Sequence, residues 1–246
     1  MPLLTIDQGN SSAKIALWEG PELIDEETFQ RRLRHHDLEQ VIRRFTPRKA
    51  LCCSVTGTGS EMVRHLREAG VEAEELSSNL PLPLVIDYRT PQTLGPDRIA
   101  AAVGAWSLYP GRNCLVVDMG TAVTYDVVTA DGHYAGGNIA PGVGMRLRAL
   151  RSFTARLPEV NGYGETPEFG YDTMTAMRAG AVRGVAGEIN YYRSLLPVDT
   201  EVVLTGGWSK RVGSFLDFDV TIDSCLVTKG LLSILLYNEN LSKEQI

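Results

Sequence analysis

The sequence predicts an α/β protein built from two like halves, and three observations carry that reading. Short apolar runs alternate with amphipathic helical stretches along all 246 residues. The segment Leu4-Thr5-Ile6-Asp7-Gln8-Gly9-Asn10-Ser11 recurs as Leu115-Val116-Val117-Asp118-Met119-Gly120-Thr121-Ala122, in each case an apolar strand running into Asp-x-Gly. The length also suffices for two compact halves, each with its own core and no need of disulfides. The expected division is 1–112 and 113–246, each half opening with the same strand and turn, the two facing each other across a cleft.

In the first half, Leu3–Asp7 and Ala13–Trp18 read as strands joined by a Gly-containing turn. Leu38, Val41, Ile42 and Phe45 recur at i, i+3, i+4 and i+7, an amphipathic helix with Asp37 as its expected N-cap. Ala50–Val55 is a strand, a helix runs from Ser60 to its stop at Gly70, and Leu84–Tyr88 is a further strand. Gly95-Pro96-Asp97-Arg98 opens an Ala-rich helix reaching Tyr109, with proline where its missing N–H costs nothing.

In the second half, Leu115–Asp118, Val123–Thr129 and a strand after Asp131-Gly132 form a meander. Helices follow at Met145–Phe153 and Thr173–Leu195, then a strand at Glu201–Leu204 and a helix at Trp208–Leu216. A short strand near Val220 and a helix over Leu226–Tyr237 complete the pattern.

Composition removes several function classes. The net charge of −6 leaves no broad basic surface to track a nucleic-acid backbone. The cluster Arg31, Arg32, Arg34, His35, His36 therefore reads as a solvated face. No apolar run approaches the roughly 18–20 residues of a membrane helix, and the first residues lack the pattern of a signal peptide. Cys52, Cys53, Cys114 and Cys225 show no C-x-x-C spacing and read as buried free thiols of a reducing cytoplasm. His35, His36, His65 and His133 have no H-x-x-x-H spacing, so the sequence shows no His-built zinc site.

The chemistry concentrates in a few turns. Asp7–Lys14 combines a carboxylate, a glycine, two amides, two hydroxyls and an ammonium, a set suited to phosphates and a hydrated Mg²⁺. Gly120-Thr121-Ala122 offers a second such turn, with Asp118 as another hard oxygen ligand. Asp97 beside Arg98 could combine a base with a fork-shaped anchor for a substrate carboxylate, although on the residues alone a simple helix-start role for Asp97 is the default. Leu204-Thr205-Gly206-Gly207 lets backbone approach a flat nucleobase or ribose closely. No G-x-x-x-x-G-K-[ST], third dinucleotide glycine after Gly57-Thr58-Gly59, or G-x-S-x-G elbow is present.

With those residues in hand, the chain resembles type III pantothenate kinases, in the superfamily of acetate and sugar kinases, Hsp70 and actin. The likeness rests on Asp7–Lys14, Tyr88 with Gly95-Pro96-Asp97-Arg98, Asp118–Thr124, Gly136–Gly142, Thr154–Pro158, Thr173 and Leu204–Gly207. Ser11 stands where many relatives carry Thr, which keeps the hydroxyl. The resemblance implies two actin-like (ribonuclease H-like) domains related by duplication, with mixed sheets flanked by helices. It implies phosphorylation of pantothenate by Mg-ATP, the first step of coenzyme A synthesis, in a cytoplasmic homodimer that engages neither nucleic acid nor membrane.

Carried over residue by residue, the resemblance assigns Asp7, Gln8, Gly9, Asn10, Ser11, Ser12, Ala13, Lys14 and Thr121 to ATP. It assigns Tyr88, Gly95, Pro96, Asp97, Arg98 and Thr173 to pantothenate. Asp97 would accept the proton of the substrate hydroxyl, and Asp118 would bind a monovalent cation, K⁺ or NH₄⁺. Two other readings fit the same fold: a non-catalytic nucleotide-binding regulator, or a kinase of another small hydroxy acid.

Overall fold

A computed structural model describes residues 2–77 and 79–244. The chain forms two compact units, one of Met1–Pro110, Gly132–Tyr134 and Cys225–Ile246, the other of Gly111–Asp131 and Ala135–Ser224. The division thus departs from a single cut at 112/113, because the last helix packs with the first unit.

The first unit opens with β1 (Leu3–Gln8), β2 (Ala13–Glu19) and β3 (Glu22–Phe29), then α1 (His35–Phe45), β4 (Lys49–Ser54), α2 (Gly59–Glu68), β5 (Glu72–Glu75), β6 (Val85–Ile86) and α3 (Pro96–Leu108). Its sheet runs β3-β2-β1-β4-β5, antiparallel across β1–β3 and parallel from β1 to β4 to β5. Leu4 and Ile6 of β1 point into a core with Leu38, Val41, Met62, Val63 and Leu66 of α1 and α2. Residues that alternate with them point to the opposite face, where β4 packs against α3.

Two strands were not foreseen. β3, with the sequence ELIDEETF, and β5, with EAEE, are the outer strands of their sheet and are mostly polar. The expected cap of α1 is also corrected. Arg34 occupies the N-cap, and Asp37 sits three residues in, where its carboxylate accepts from the Arg34 N–H at 2.7 Å. Asp37 also takes both guanidinium nitrogens of Arg31, at 2.6 and 2.8 Å, which holds its carboxyl down at about 2. Arg31 is therefore fastened to α1 rather than simply solvated.

The second unit contains β7 (Cys114–Met119), β8 (Ala122–Val128), β9 (His133–Pro141) from Ala135 onward, α4 (Val143–Phe153), α5 (Thr173–Ser194), β10 (Glu201–Thr205), α6 (Ser209–Gly213) and β11 (Thr221–Ile222). The sheet order is β11-β10-β7-β8-β9-β6. From β9 to β11 this repeats the order from β3 to β5, with β7 in the place of β1 and β10 in the place of β4. The duplication inferred from two short motifs is therefore a duplication of topology. Leu115, Val117 and Met119 of β7 pack with Val143 and Leu147 of α4 and with Val182, Val185 and Ile189 of α5.

The last helix, α7 (Leu226–Glu244), lies on β1 and β4 beside α3. Small residues permit this approach. A side chain at Gly230 would run into the Ala100 carbonyl, and one at Gly104 into the Leu226 carbonyl. Gly230→Ala is expected to cost about 1–3 kcal/mol by overpacking, read as a lower midpoint in urea unfolding. An unchanged midpoint would show that the helices separate without penalty.

Candidate functional site

Each sheet has a position where one strand has an antiparallel neighbour on one side and a parallel neighbour on the other. In the first unit that strand is β1, flanked by β2 and β4. Ligands of open α/β sheets gather at the carboxyl ends of such strands. Asp7, one residue from the end of β1, is partly exposed there and lies opposite Lys14 of β2 and Cys53 of β4 in register.

The turn between β1 and β2 is closed by the Gly9 N–H on the Ser12 carbonyl at 2.9 Å, leaving Asn10 and Ser11 exposed. Gln8 points the other way and is buried. Its amide donates to the Gly9 carbonyl and accepts from the Leu33 N–H, each at 2.9 Å. Gln8 therefore shapes the turn from beneath. Lys14 is steadied by Glu26 of β3, with Nζ 3.1 Å from the carboxylate, and Cys225 donates its thiol to the same Glu26.

Asp97 enters this neighbourhood from α3. Gly95 caps the helix and Pro96 begins it, so Asp97 falls in the first turn, where its carboxylate accepts from the Arg98 N–H at 2.9 Å. A side chain at Gly95 would collide with that carboxylate. Arg98 is buried, at 5% exposure. Burial and the charges of both Asp7 and Asp97 push the Cys53 thiol well above its ordinary value. Asp7, Asp97 and Glu75 thus all act electrostatically on the buried Cys53 thiol of β4, which pairs in register with Asp7.

Tyr88 follows β6, which pairs with His133 and Tyr134 at the start of β9, and its ring meets Tyr134 edge-on at 6.1 Å. Three hydroxyls that sequence reading missed, Ser54, Thr56 and Thr58, interact at 2.8–3.4 Å just beyond β4. Ser54 stands beside Gln8 in the parallel register, so the cluster borders the phosphate-type turn. Glu26 was missed as well, because its acid-rich strand carries no apolar pattern.

In the second unit β7 holds the equivalent place, between antiparallel β8 and parallel β10. Asp118 lies opposite Thr205 of β10 in register, and Gly120-Thr121 forms the turn into β8. Gly206, at φ +85°, follows β10 so closely that a Cβ would lie 2.6 Å from both the Asp118 carboxylate and the Met119 carbonyl carbon. The glycine serves this protein contact, so the expected role of freeing backbone for a flat ligand fits only Gly207, which has open space. Gly142 donates its N–H to the Thr121 carbonyl at 3.1 Å, and a Cβ there would press on the same carbonyl.

Thr173 begins α5 and is exposed, beside an N-cap in which Asp172 accepts from the Thr175 N–H at 2.7 Å. Asp7, Lys14, Tyr88 and the 95–98 turn belong to the first unit, whereas Asp118, Thr121 and Thr173 belong to the second.

Residues 3–194 match the family model described as type III pantothenate kinase. The chain belongs to the type III pantothenate kinase family. A type III pantothenate kinase of Phocaeicola vulgatus is 43% identical over 97% of this chain and 99% of its own. One of Azobacteroides pseudotrichonymphae is 40% identical over 98% and 99%. Among solved structures, the activator of 2-hydroxyisocaproyl-CoA dehydratase from Clostridium difficile, with bound ADPNP, superposes with a TM-score of 0.60. It has 12% identity and covers 100% of this chain and 98% of that one. That likeness concerns the fold, which is the actin-like α/β architecture of two mixed sheets flanked by helices.

For this pantothenate kinase family member, Gly206→Ala is expected to destabilise the second unit by at least about 1–2 kcal/mol from the left-handed backbone alone, with the Asp118 contact adding to it. Chemical denaturation measures the effect. Wild-type stability in the variant would mean that the β7 and β10 ends have room for a side chain.

Proposed function

We propose that this protein phosphorylates pantothenate with Mg-ATP to give 4′-phosphopantothenate, the opening step of coenzyme A synthesis. Family membership supports the reaction. The observation that carries its site is the placing of Asp7 at the end of β1 opposite Lys14, in the same unit as Asp97 in the first turn of α3.

In this reading the 9–14 turn binds ATP phosphates through its backbone and hydroxyls, while Lys14 offsets their charge. Gln8 holds the turn rather than the nucleotide. Thr121 contributes to the nucleotide from its own turn. Tyr88, Gly95, Pro96, Arg98 and Thr173 bind pantothenate, with the Arg98 guanidinium suited to its carboxylate. Asp97 accepts the hydroxyl proton as the substrate oxygen attacks the terminal phosphorus. A weak base suffices, because phosphoryl transfer requires that proton late.

Asp7 and Asp118 are hard oxygen donors at partly exposed strand ends, which fits Mg²⁺ at the first and K⁺ or NH₄⁺ at the second. Such cations, when bound, offset the negative charge of the phosphates.

The protein works as a homodimer in this reading. Supporting it, α4 and α5 border a cavity of about 350 Å³ lined by Arg146, Leu150, Phe153 and Gly180, and Phe153 is 88% exposed. Among the described residues no helix is long and apolar enough to cross a membrane. The paired thiols Cys52 and Cys53 are buried and free, as suits a reducing cytoplasm.

ADP release from Mg-ATP, with and without pantothenate and in K⁺ or Na⁺ buffer, tests the reading. Pantothenate-dependent turnover favoured by K⁺ is expected. Turnover blind to the cation removes Asp118 from cation binding, and nucleotide binding without turnover favours a regulator or another hydroxy acid. Asp97→Asn is expected to lower kcat about 10²–10⁴-fold with folding intact; full turnover in that variant would take Asp97 out of the mechanism.

A further inference from the structure

Away from the kinase site, the packing of α1 on α2 brings together three side chains of metal-binding type. His35 opens α1, and Glu39 follows one turn later on the same helix face. His65 stands in the last turn of α2. The imidazole centroids of His35 and His65 are 3.6 Å apart, with the rings inclined at 57°. One ligating atom from each of the three lies within 4.8 Å of the other two.

His65 adds an independent sign. Its Nε2 is buried and has no hydrogen-bond partner among the described residues. A buried polar nitrogen left in that state is destabilising. A cation coordinated by that imidazole would satisfy it.

We propose that His35, Glu39 and His65 bind a divalent transition metal of the zinc type, which clips α1 to α2. Two imidazoles and one carboxylate, with water in the fourth position, form a regular tetrahedral set for such an ion. Ligand atoms on a tetrahedral zinc lie about 3.4 Å apart when the bonds are about 2.1 Å. His35 is exposed and Glu39 partly so, and rotation of their side chains would open the 3.6 Å ring contact while turning the ligand atoms onto the ion. The Arg43 guanidinium, 3.8 Å from Glu39 and 81% exposed, is free to swing into water. Arg31 is held on Asp37, and His36 lies 3.0 Å from Gln40, so neither is needed by the site. Mg²⁺ prefers an all-oxygen shell and would not compete here.

The sequence concealed this site because His35 and His65 are far apart along the chain and only helix packing joins them. The histidine spacing alone argued against zinc, and the proposal rests instead on helix packing.

The test uses tag-free, chelator-stripped protein titrated with Zn²⁺ by calorimetry in excess Mg²⁺, with Co²⁺ absorption as the spectroscopic probe. One zinc per chain is expected, with a raised Tm and a Co²⁺ spectrum of four-coordinate N/O type. His35→Gln and His65→Gln should each weaken binding at least about tenfold, a difference of about 1.4 kcal/mol. Neither variant should alter pantothenate-dependent ADP release. His35 is exposed, so His35→Gln keeps the test decisive even if His65→Gln folds poorly. No binding at about 100 μM Zn²⁺, a binding free energy weaker than about −5.5 kcal/mol, overturns the proposal. Equal affinity in His35→Gln and wild type overturns it as well.

Discussion

The site of the first unit depends on how β1 ends. Its backbone is held on both sides, by antiparallel β2 and by parallel β4, while Leu4 and Ile6 are fully buried. With the strand so constrained, alternation alone sends Gln8 to one face and Asp7 to the other. Gln8 then anchors the turn through Gly9 and Leu33, and Asp7 is delivered beside Lys14 and Cys53. Loss of the β1 register by one residue would exchange these two side chains and dismantle both functions.

The second unit solves the same geometric problem with different side chains. Its topology places Asp118 on β7 as Asp7 is placed on β1, next to a parallel partner strand in each case. The surroundings differ. Asp7 faces a lysine steadied by Glu26, whereas Asp118 is hemmed in by Gly206 and lies beside Thr205. In the proposed function, the ammonium near one carboxylate goes with a phosphate-binding turn and the close backbone near the other with a cation ligand. The helix starts are also distinct, with proline at the first position of α3 and an Asp172–Thr175 capping box on α5.

Much of this was legible from sequence because it depends on local rules. Apolar runs located β1, β2, β4, β7, β8 and β10, and Gly-Pro-Asp-Arg located the start of α3. What escaped depends on distant partners. Strand β3 is acid-rich and forms only because β2 offers an edge, and it supplies Glu26 to Lys14. Asp37 looked like a cap, but the approach of Arg31 and the Arg34 N–H moved the helix start three residues upstream. The twin glycines after β10 looked alike in sequence, yet only one has backbone against it. The hydroxyls of Ser54, Thr56 and Thr58 became a cluster only when the end of β4 curled around them.

The placement of α7 has a consequence for biosynthesis. The first unit keeps an apolar sheet face and the small-residue side of α3 for a helix encoded after the entire second unit. On the ribosome, residues 111–224 emerge before that helix is made, so the first-translated unit is the later one to close. Its sheet must wait with one face uncovered, and long-range closure of this kind slows folding. The strands β1 and β4 therefore gain their last packing partner only near the end of synthesis.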